Sequence, residues 1–179
     1  LPGMLGFGWL FARQYTEGRH RLESDMLTTA RALVGVVDSQ LYIARATALA
    51  LASSEHLAQG DLAAFHVHAR EVLAVTDAGM NAVVSDLEGQ QLLNTLRAPG
   101  ESLPRHGNPN AVRRVAATGQ AVISHLYTGG VLGKPVLSVD VPVWRNGQVH
   151  QVLSLGLLPN TFDGMLAAQR FPSEQLAAI

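Results

Sequence analysis

Two polar side chains, Asp140 and Ser138, lie in the middle of an otherwise apolar stretch. The stretch alternates, so both residues share one face of a strand, and the opposite face is apolar (Leu137, Val139, Val141 and Val143). A carboxylate in this setting costs several kcal/mol unless it is solvated or paired. The stripe therefore fits a pocket for a small polar ligand, and structural pairing of Asp140 with a nearby arginine is the alternative.

Four further side chains offer hydrogen bonds or charge. His125 and Tyr127 stand two residues apart in a β-like run, which puts them on one face, and both donate hydrogen bonds. Arg97 and Arg105 lie in the long loop 96–109, from which an arginine can bind a carboxylate bidentately. For each pair, simple exposure to solvent is the alternative interpretation.

The sequence lacks the motifs of enzymes and metal sites. Ser154 lies in VLSLG, which lacks the first glycine of a nucleophile elbow. There is no phosphate-binding glycine loop and no HExxH helix. Cysteine is absent, and His66 and His68 are two apart on a predicted helix, where they point in different directions. We therefore predict no catalytic residue, no metal and no cofactor.

The composition fits one globular domain plus a long helix. The chain has 179 residues, of which 47% are hydrophobic. Thirteen basic and fourteen acidic residues give a formal net charge of −1, without the basic footprint of a nucleic-acid-binding protein.

A long amphipathic helix precedes the β-like part of the chain. No proline occurs between residues 14 and 53, and apolar residues recur about every 3.6 positions from Leu22 to Leu51. Asp61 is the predicted N-cap of a second helix, 62–74. Residues 1–12 are uncharged and apolar, too few for a whole membrane span, and charges begin at Arg13. This pattern predicts the end of a transmembrane helix.

Five β-like runs follow the helices, at 81–85, 90–95, 121–127, 136–144 and 149–157. Turns at 86–89 and at Asn146–Gly147 predict two hairpins and therefore antiparallel pairing. Short helices are predicted at 110–118 and 162–169. Because strands and helices are segregated, the predicted fold class is α+β: a long N-terminal helix, then a PAS-like five-stranded antiparallel sheet with short flanking helices.

With this order of elements the sequence resembles the Cache domains, the extracytoplasmic PAS-like sensors of bacterial histidine kinases, diguanylate cyclases and chemoreceptors. The likeness is carried by TARALVGVVDSQL (29–41), GDLAAFHVHAREVL (60–73), SDLEGQQLLNTLRAPG (85–100), NPNAVRRVAATGQAVIS (108–124) and KPVLSVDVPVWRNGQVHQVLSLGL (134–157). The Arg-x-Trp-Tyr pattern of the family's amino-acid-binding members is missing, because neither Trp9 nor Trp144 follows an arginine by two.

The resemblance implies four parts and a ligand site. The parts are 1–12, the end of a transmembrane helix; 13–58, a stalk helix; 59–170, the sensor module; and 171–179, the start of a following segment or second module. In PAS-like sheets the third and fourth strands line the ligand cavity, which makes His125, Tyr127, Ser138 and Asp140 pocket candidates beside Arg97 and Arg105.

The function implied is that of a sensing domain, with no enzymatic activity in this segment. We expect it on the periplasmic side of the inner membrane in a sensor histidine kinase. We expect it to bind a small polar or anionic metabolite and to form a homodimer through the long helix. One alternative is a ligand-free dimerisation or interaction module of a diguanylate cyclase or chemoreceptor. Another is a cytoplasmic PAS domain with haem or flavin.

Overall fold

The computed structural model describes residues 31–161, apart from 33 and 77. The chain divides into two compact units, residues 1–38 and 39–179. In the first unit the described residues, 31, 32 and 34–38, are helical. The predictions for the membrane segment, for residues 13–30 of the stalk helix and for the last helix and following segment lie outside the described residues. Within the described part, no helix combines the length and the apolar character needed to cross a bilayer.

The second unit begins with three helices. Helix α1 covers residues 39–52 of this unit, α2 is Glu55–Gln59 and α3 is Leu62–Thr76. Gly60 ends α2 in the left-handed conformation, with φ of 78°. Asp61 accepts a hydrogen bond from the Ala64 N–H at 2.9 Å, as an N-cap does.

The remaining elements form one antiparallel sheet with a helix inserted. The strands are β1 Asn81–Ser85, β2 Gln91–Asn94, β3 Val122–Ile123, β4 Tyr127–Thr128, β5 Pro135–Arg145 and β6 Gln148–Leu157, and α4 is Pro109–Thr118. The strand order is β2-β1-β6-β5-β3, and β4 also pairs with β5. The predicted fold class, both hairpins and the antiparallel pairing are confirmed.

The sheet has six strands because the predicted third strand is broken in two. Ile123 pairs with Val139, and Tyr127 pairs with Val136. Between these pairs, the three residues 124–126 lie opposite the two residues 137–138 of β5. At the break, the Ser124 hydroxyl accepts a hydrogen bond from the Ser138 N–H at 2.8 Å. This side chain replaces a backbone partner, and the extra residue ends the continuous alternation.

The main core lies between α1–α3 and one face of the sheet. Buried residues of the helices, such as Ala48, Leu57 and Phe65, pack against Val139, Val141, Val143, Leu153, Leu155 and Leu157 of β5 and β6. The predicted apolar face of β5 is therefore confirmed. Helix α1 supplies part of this core, and the second compact unit begins at Ser39.

Candidate ligand-binding site

The second face of the sheet is polar where β1, β6 and β5 meet. Ser154 of β6 stands between Val83 of β1 and Asp140 of β5 as their Cα partner. In the next row Gly156 stands between Asn81 and Ser138. Because strand residues alternate, this face gathers the polar side chains while Leu153 and Leu155 point into the core. Helix α4 covers the neighbouring part of the face through Val112 and Val115, which pack on Val152.

A cavity of about 30 Å³ lies on this polar face, with room for one or two water molecules. Its floor includes Asn81, Ser154 and Gly156 of the sheet. The opposite side is formed by His106 and Gly107 of the loop after β2 and by residues after β4 (Tyr127, Gly129, Gly130, Val131 and Leu132). The cavity thus lies between the sheet and two loops.

A chain of side-chain amides forms one wall of the cavity. The Asn81 amide donates to Asn94 Oδ1 at 3.2 Å, and the Asn94 amide donates to Gln91 Oε1 at 3.0 Å. The Gln91 amide in turn donates to the backbone carbonyl of Arg105 at 3.4 Å. All three amide side chains are buried, so this wall offers neutral hydrogen-bonding groups in fixed positions.

Asp140 is the most unusual residue of the site. It is 0% exposed, and neither carboxylate oxygen has a hydrogen-bond partner among the described residues. The hydroxyl oxygens of Ser85, Ser138 and Ser154 are likewise buried without a partner. Burial raises the pKa of Asp140, and the nearby Ser154 hydroxyl opposes only part of this shift. A buried group of this kind destabilises the fold unless another molecule satisfies it.

Two aromatic rings that line the cavity, those of His106 and Tyr127, interact electrostatically with Asp140. The His106 and Tyr127 rings lie 5.5 Å apart between centroids and are tilted by 38°. Burial lowers the pKa of His106, and the charge of Asp140 and the hydrogen bond with the Asn108 backbone oppose part of this shift. The Asn108 N–H donates to His106 Nδ1 at 3.1 Å. Burial raises the pKa of Tyr127 to about 12, so its hydroxyl remains a hydrogen-bond donor.

Two glycines allow the loops to close over the cavity. A Cβ on Gly107 would lie 2.7 Å from the Tyr127 ring and would also collide with the Thr128 carbonyl. A Cβ on Gly130 would lie 2.8 Å from the Arg105 carbonyl oxygen. The segment 129–133 therefore packs on the loop 104–108 at a distance that only glycine permits.

The structure brings together three of the six predicted site residues. Tyr127 borders the cavity, and Ser138 and Asp140 lie beside it on the same face. His125 is exposed and lies in the break between β3 and β4. The structural pairing of Asp140 with an arginine is not seen among the described residues.

The two predicted arginines lie outside the cavity. Arg97 forms an ion pair with Glu101 at 3.5 Å, with both side chains about half exposed. Arg105 is exposed, and its guanidinium donates to the Glu88 carbonyl. Neither side chain lines the cavity, so no arginine is among its described lining residues.

The sequence did not lead us to predict Ser154, His106 or the amide side chains of Asn81, Gln91 and Asn94 as site residues. Applying the alternation rule to β6 would have found Ser154, because Leu153, Leu155 and Leu157 flank it on the other face. His106 stands in an aperiodic loop, and no local pattern marks it as buried. Among the described residues, no three potential metal-binding side chains cluster.

The fold is that of extracellular ligand-binding sensor domains of the Cache, or PAS-like, type. The chain is similar to the sensor domain of DcuS from E. coli, with 20% identity and a TM-score of 0.57 over 73% of this chain and 96% of that one. It is also similar to the ligand-binding domain of the Campylobacter jejuni chemoreceptor Tlp3 in complex with L-valine (13% identity, TM-score 0.59, 87% of this chain and 66% of that one).

A third similar structure is an extracellular ligand-binding receptor from Desulfohalobium retbaense, at 17% identity and a TM-score of 0.63. That match covers 80% of this chain but only 27% of the receptor chain. The chain thus spans from about a quarter to two thirds of these two larger neighbours. No family model matches the sequence, and no curated protein matches it.

Proposed function

We propose that this chain is the extracytoplasmic small-molecule sensing domain of a transmembrane signalling protein. The observation that carries the proposal is the carboxylate of Asp140, which is buried beside the cavity on the sheet without a hydrogen-bond partner among the described residues. A protein retains a destabilising polar group of this kind where function requires it. The proposed binding residues are Tyr127, Ser138 and Asp140, together with His106 and Ser154.

The proposed ligand is a small polar metabolite. The C. jejuni domain that shares this fold was solved with L-valine, which is a small polar molecule. Side-chain amides on one wall and the Tyr127 hydroxyl on the other side supply hydrogen bonds for such a ligand.

Ligand entry requires the cavity to enlarge, since it has room for only one or two waters. The segment 129–133 is suited to move. It is closed on itself by hydrogen bonds from the Gly129 N–H to the Lys134 carbonyl (2.9 Å) and from the Gly133 N–H to the Gly129 carbonyl (2.8 Å). We propose that it moves as one piece to admit a ligand.

The proposed output is a histidine kinase reached through the N-terminal helix. We place the module in the periplasm, with the receptor anchored in the inner membrane through residues 1–12 and dimeric through the long helix. The fold is shared with chemoreceptor domains as well, so the same sensing mechanism would serve either output. ATP-dependent autophosphorylation of the whole protein in membranes tests the kinase assignment.

The binding proposal is tested by thermal unfolding of the chain with a panel of amino acids, amines and organic acids. We expect at least one compound to raise the melting temperature in a concentration-dependent way. Substituting Tyr127→Phe should weaken that response, whereas His125→Ala, at an exposed position, should leave it unchanged. A panel without any stabilising compound would contradict the proposal.

A ligand-free interaction module is the second candidate, and the small volume of the cavity favours it. In that case the protein's own side chains fill the sheet face permanently, and the module serves only to hold helices apart or to contact a partner. Light scattering of the chain would then show a dimer that no small molecule alters.

A further inference from the structure

We infer that His56 and His68 form a binding site for a divalent transition-metal ion on the helical side of the domain. Their imidazole rings come from α2 and α3 and lie 5.8 Å apart between centroids, edge to face, with 60° between the ring planes. Helices α2 and α3 pack on the apolar face of the sheet, and neither histidine lines the cavity on the polar face. The inference therefore goes beyond the proposed function and does not depend on it.

The two histidines that meet come from different helices. His66 and His68 are neighbours in the sequence of α3, but His66 is buried and its Nε2–H donates to the Arg97 carbonyl at 2.9 Å. His68 instead contacts His56 of α2. The absence of a metal was predicted from the spacing of histidines within one helix, and a partner from a second helix changes that expectation.

Both rings have nitrogens that are free to bind an ion. Neither His56 nor His68 forms a hydrogen bond or an ion pair with any residue that the structure describes. By contrast, His66, His106 and His150 each have a hydrogen-bond partner. Both members of the pair are half-buried, so an ion can reach them from the solvent. A neutral imidazole has one nitrogen lone pair, and it is the commonest metal ligand that proteins use.

The backbone around the two histidines is held in place by the core. His56 precedes Leu57, which is 1% exposed, and His68 precedes Ala69, which is 0% exposed. The Arg145 guanidinium donates to the Leu57 carbonyl at 3.0 Å, which ties α2 to the hairpin of β5 and β6. An ion that binds between the rings therefore does not have to order the two helices, and this preorganisation favours its affinity.

The separation of the rings suits one ion between them. Two imidazole nitrogens that each bind an ion at about 2.1 Å lie about 3.0–3.4 Å from each other, and rotation of the two rings brings their nitrogens towards this distance. Imidazole ligands favour Cu²⁺, Ni²⁺ and Zn²⁺, whereas Mg²⁺ prefers oxygen ligands. No cluster of three metal-binding side chains occurs in the described part of the chain, so water completes the coordination of the ion.

Calorimetric titration of the full chain, without a histidine-containing tag, tests the site with CuCl₂, NiCl₂ and MgCl₂ as probes. We expect one Cu²⁺ or one Ni²⁺ to bind per chain, Cu²⁺ more tightly, and Mg²⁺ not to bind. His56→Ala and His68→Ala should each weaken binding about 10-fold or more, because the second ring no longer acts as an intramolecular ligand. Nuclear magnetic resonance of the natural chain gives a readout that needs no variant: paramagnetic Cu²⁺ should broaden the ring signals of His56 and His68 first.

The matched control is His125→Ala, which removes an exposed histidine and should bind both metals as the natural chain does. The double substitution of His56 and His68 should give the same loss of the bound ion as either single one. If each single substitution removed half of the bound metal and the double one removed all of it, the two rings would be separate sites and the inference would be overturned. Unchanged affinity in either single variant, earlier broadening of other histidine signals, or no binding of Cu²⁺ and Ni²⁺ would also overturn it.

Discussion

Asp140 and Ser154 face each other directly across β5 and β6, fully buried, and neither side chain has a hydrogen-bond partner among the described residues. In the middle of a sheet this pair weakens the fold. The predictions below use that weakness, and the rings beside it, to test whether the polar face is a site.

Replacing Asp140 with asparagine should stabilise the empty domain at neutral pH. Burial raises the pKa of Asp140 above its ordinary value of 3.8, so its contribution to stability is fully present below about pH 3.8 and is lost as the pH rises through the folded-state pKa. We expect a gain of about 1–3 kcal/mol at pH 7, which shrinks towards pH 4.

Thermal unfolding of both chains from pH 4 to 8 measures this difference. Each kcal/mol corresponds to a rise of about 2–4 °C in melting temperature for a chain of this size. Asp61→Asn should show no such pH-dependent gain. A melting temperature of Asp140→Asn that is lower at pH 7 would mean that the carboxylate has a structural partner.

Mild acid should destabilise the domain through His106. Burial lowers the pKa of His106 below 6.5, so its contribution to stability is complete above pH 6.5 and is lost as the pH falls through the folded-state pKa. Substituting His106→Gln should remove this acid sensitivity. Urea unfolding at pH 7.5, 6.5 and 5.5 measures this acid sensitivity. For His125→Gln, at an exposed position, the free energy of unfolding should fall with pH as it does for the natural chain.

Alkali should destabilise the domain through Tyr127. Because the folded-state pKa is about 12 rather than 10.0, the contribution of the protonated phenol is full below pH 10 and is lost as the pH rises towards 12. The urea concentration at the midpoint of unfolding should therefore fall less between pH 9 and pH 11 for Tyr127→Phe than for the natural chain. Tyr42→Phe is the matched control, since Tyr42 is 74% exposed. If the urea midpoints of Tyr127→Phe and of the natural chain fell equally between pH 9 and pH 11, burial of this hydroxyl would be contradicted.

Alanine at Gly130 should force the segment 129–133 away from the loop 104–108. The added Cβ would meet the Arg105 carbonyl oxygen, which belongs to the backbone and cannot move aside easily. We expect a loss of about 1–3 kcal/mol and faster hydrogen exchange at residues 127–133. Gly35→Ala, with open space around its Cβ, should cause no loss. Unchanged exchange in Gly130→Ala would argue against close packing of the two loops.

Leucine at Ala48 should disrupt the main core. Ala48 is fully buried in α1 against the sheet, so a larger side chain forces the helix outward and costs about 1–3 kcal/mol. Ala50→Leu, on the exposed side of the same helix, should change the free energy of unfolding by less than about 0.5 kcal/mol. Equal effects of the two substitutions would mean that α1 does not pack as described.

Local patterns were sufficient to predict most of the sheet. The alternation around Asp140 separates the two faces of β5 correctly, and Asn146–Gly147, both with positive φ, forms the expected hairpin turn. These features depend on neighbouring residues alone. For the same reason the fold class and the polar face that holds Ser138 and Asp140 could be predicted from the sequence.

The rest of the site depends on contacts between distant residues. The break at Ser124 arises because its hydroxyl bonds to Ser138 on another strand, and a strand pattern within 121–127 contains no sign of it. His106 is buried only because Gly107 lets its loop approach Tyr127 closely. Long-range packing of this kind leaves no periodic signal in the sequence.

Helix α1 contributes alanines and a leucine to the core that the sheet shares, with Ala44, Ala48 and Leu51 almost completely buried. Protein interiors are close-packed and resist compression, so the helix and the sheet behave as one mechanical body. A change in the curvature of the sheet therefore displaces α1 as well, without a separate coupling element. In a receptor, the helix would transmit the conformational change of the sheet rather than only support the sheet.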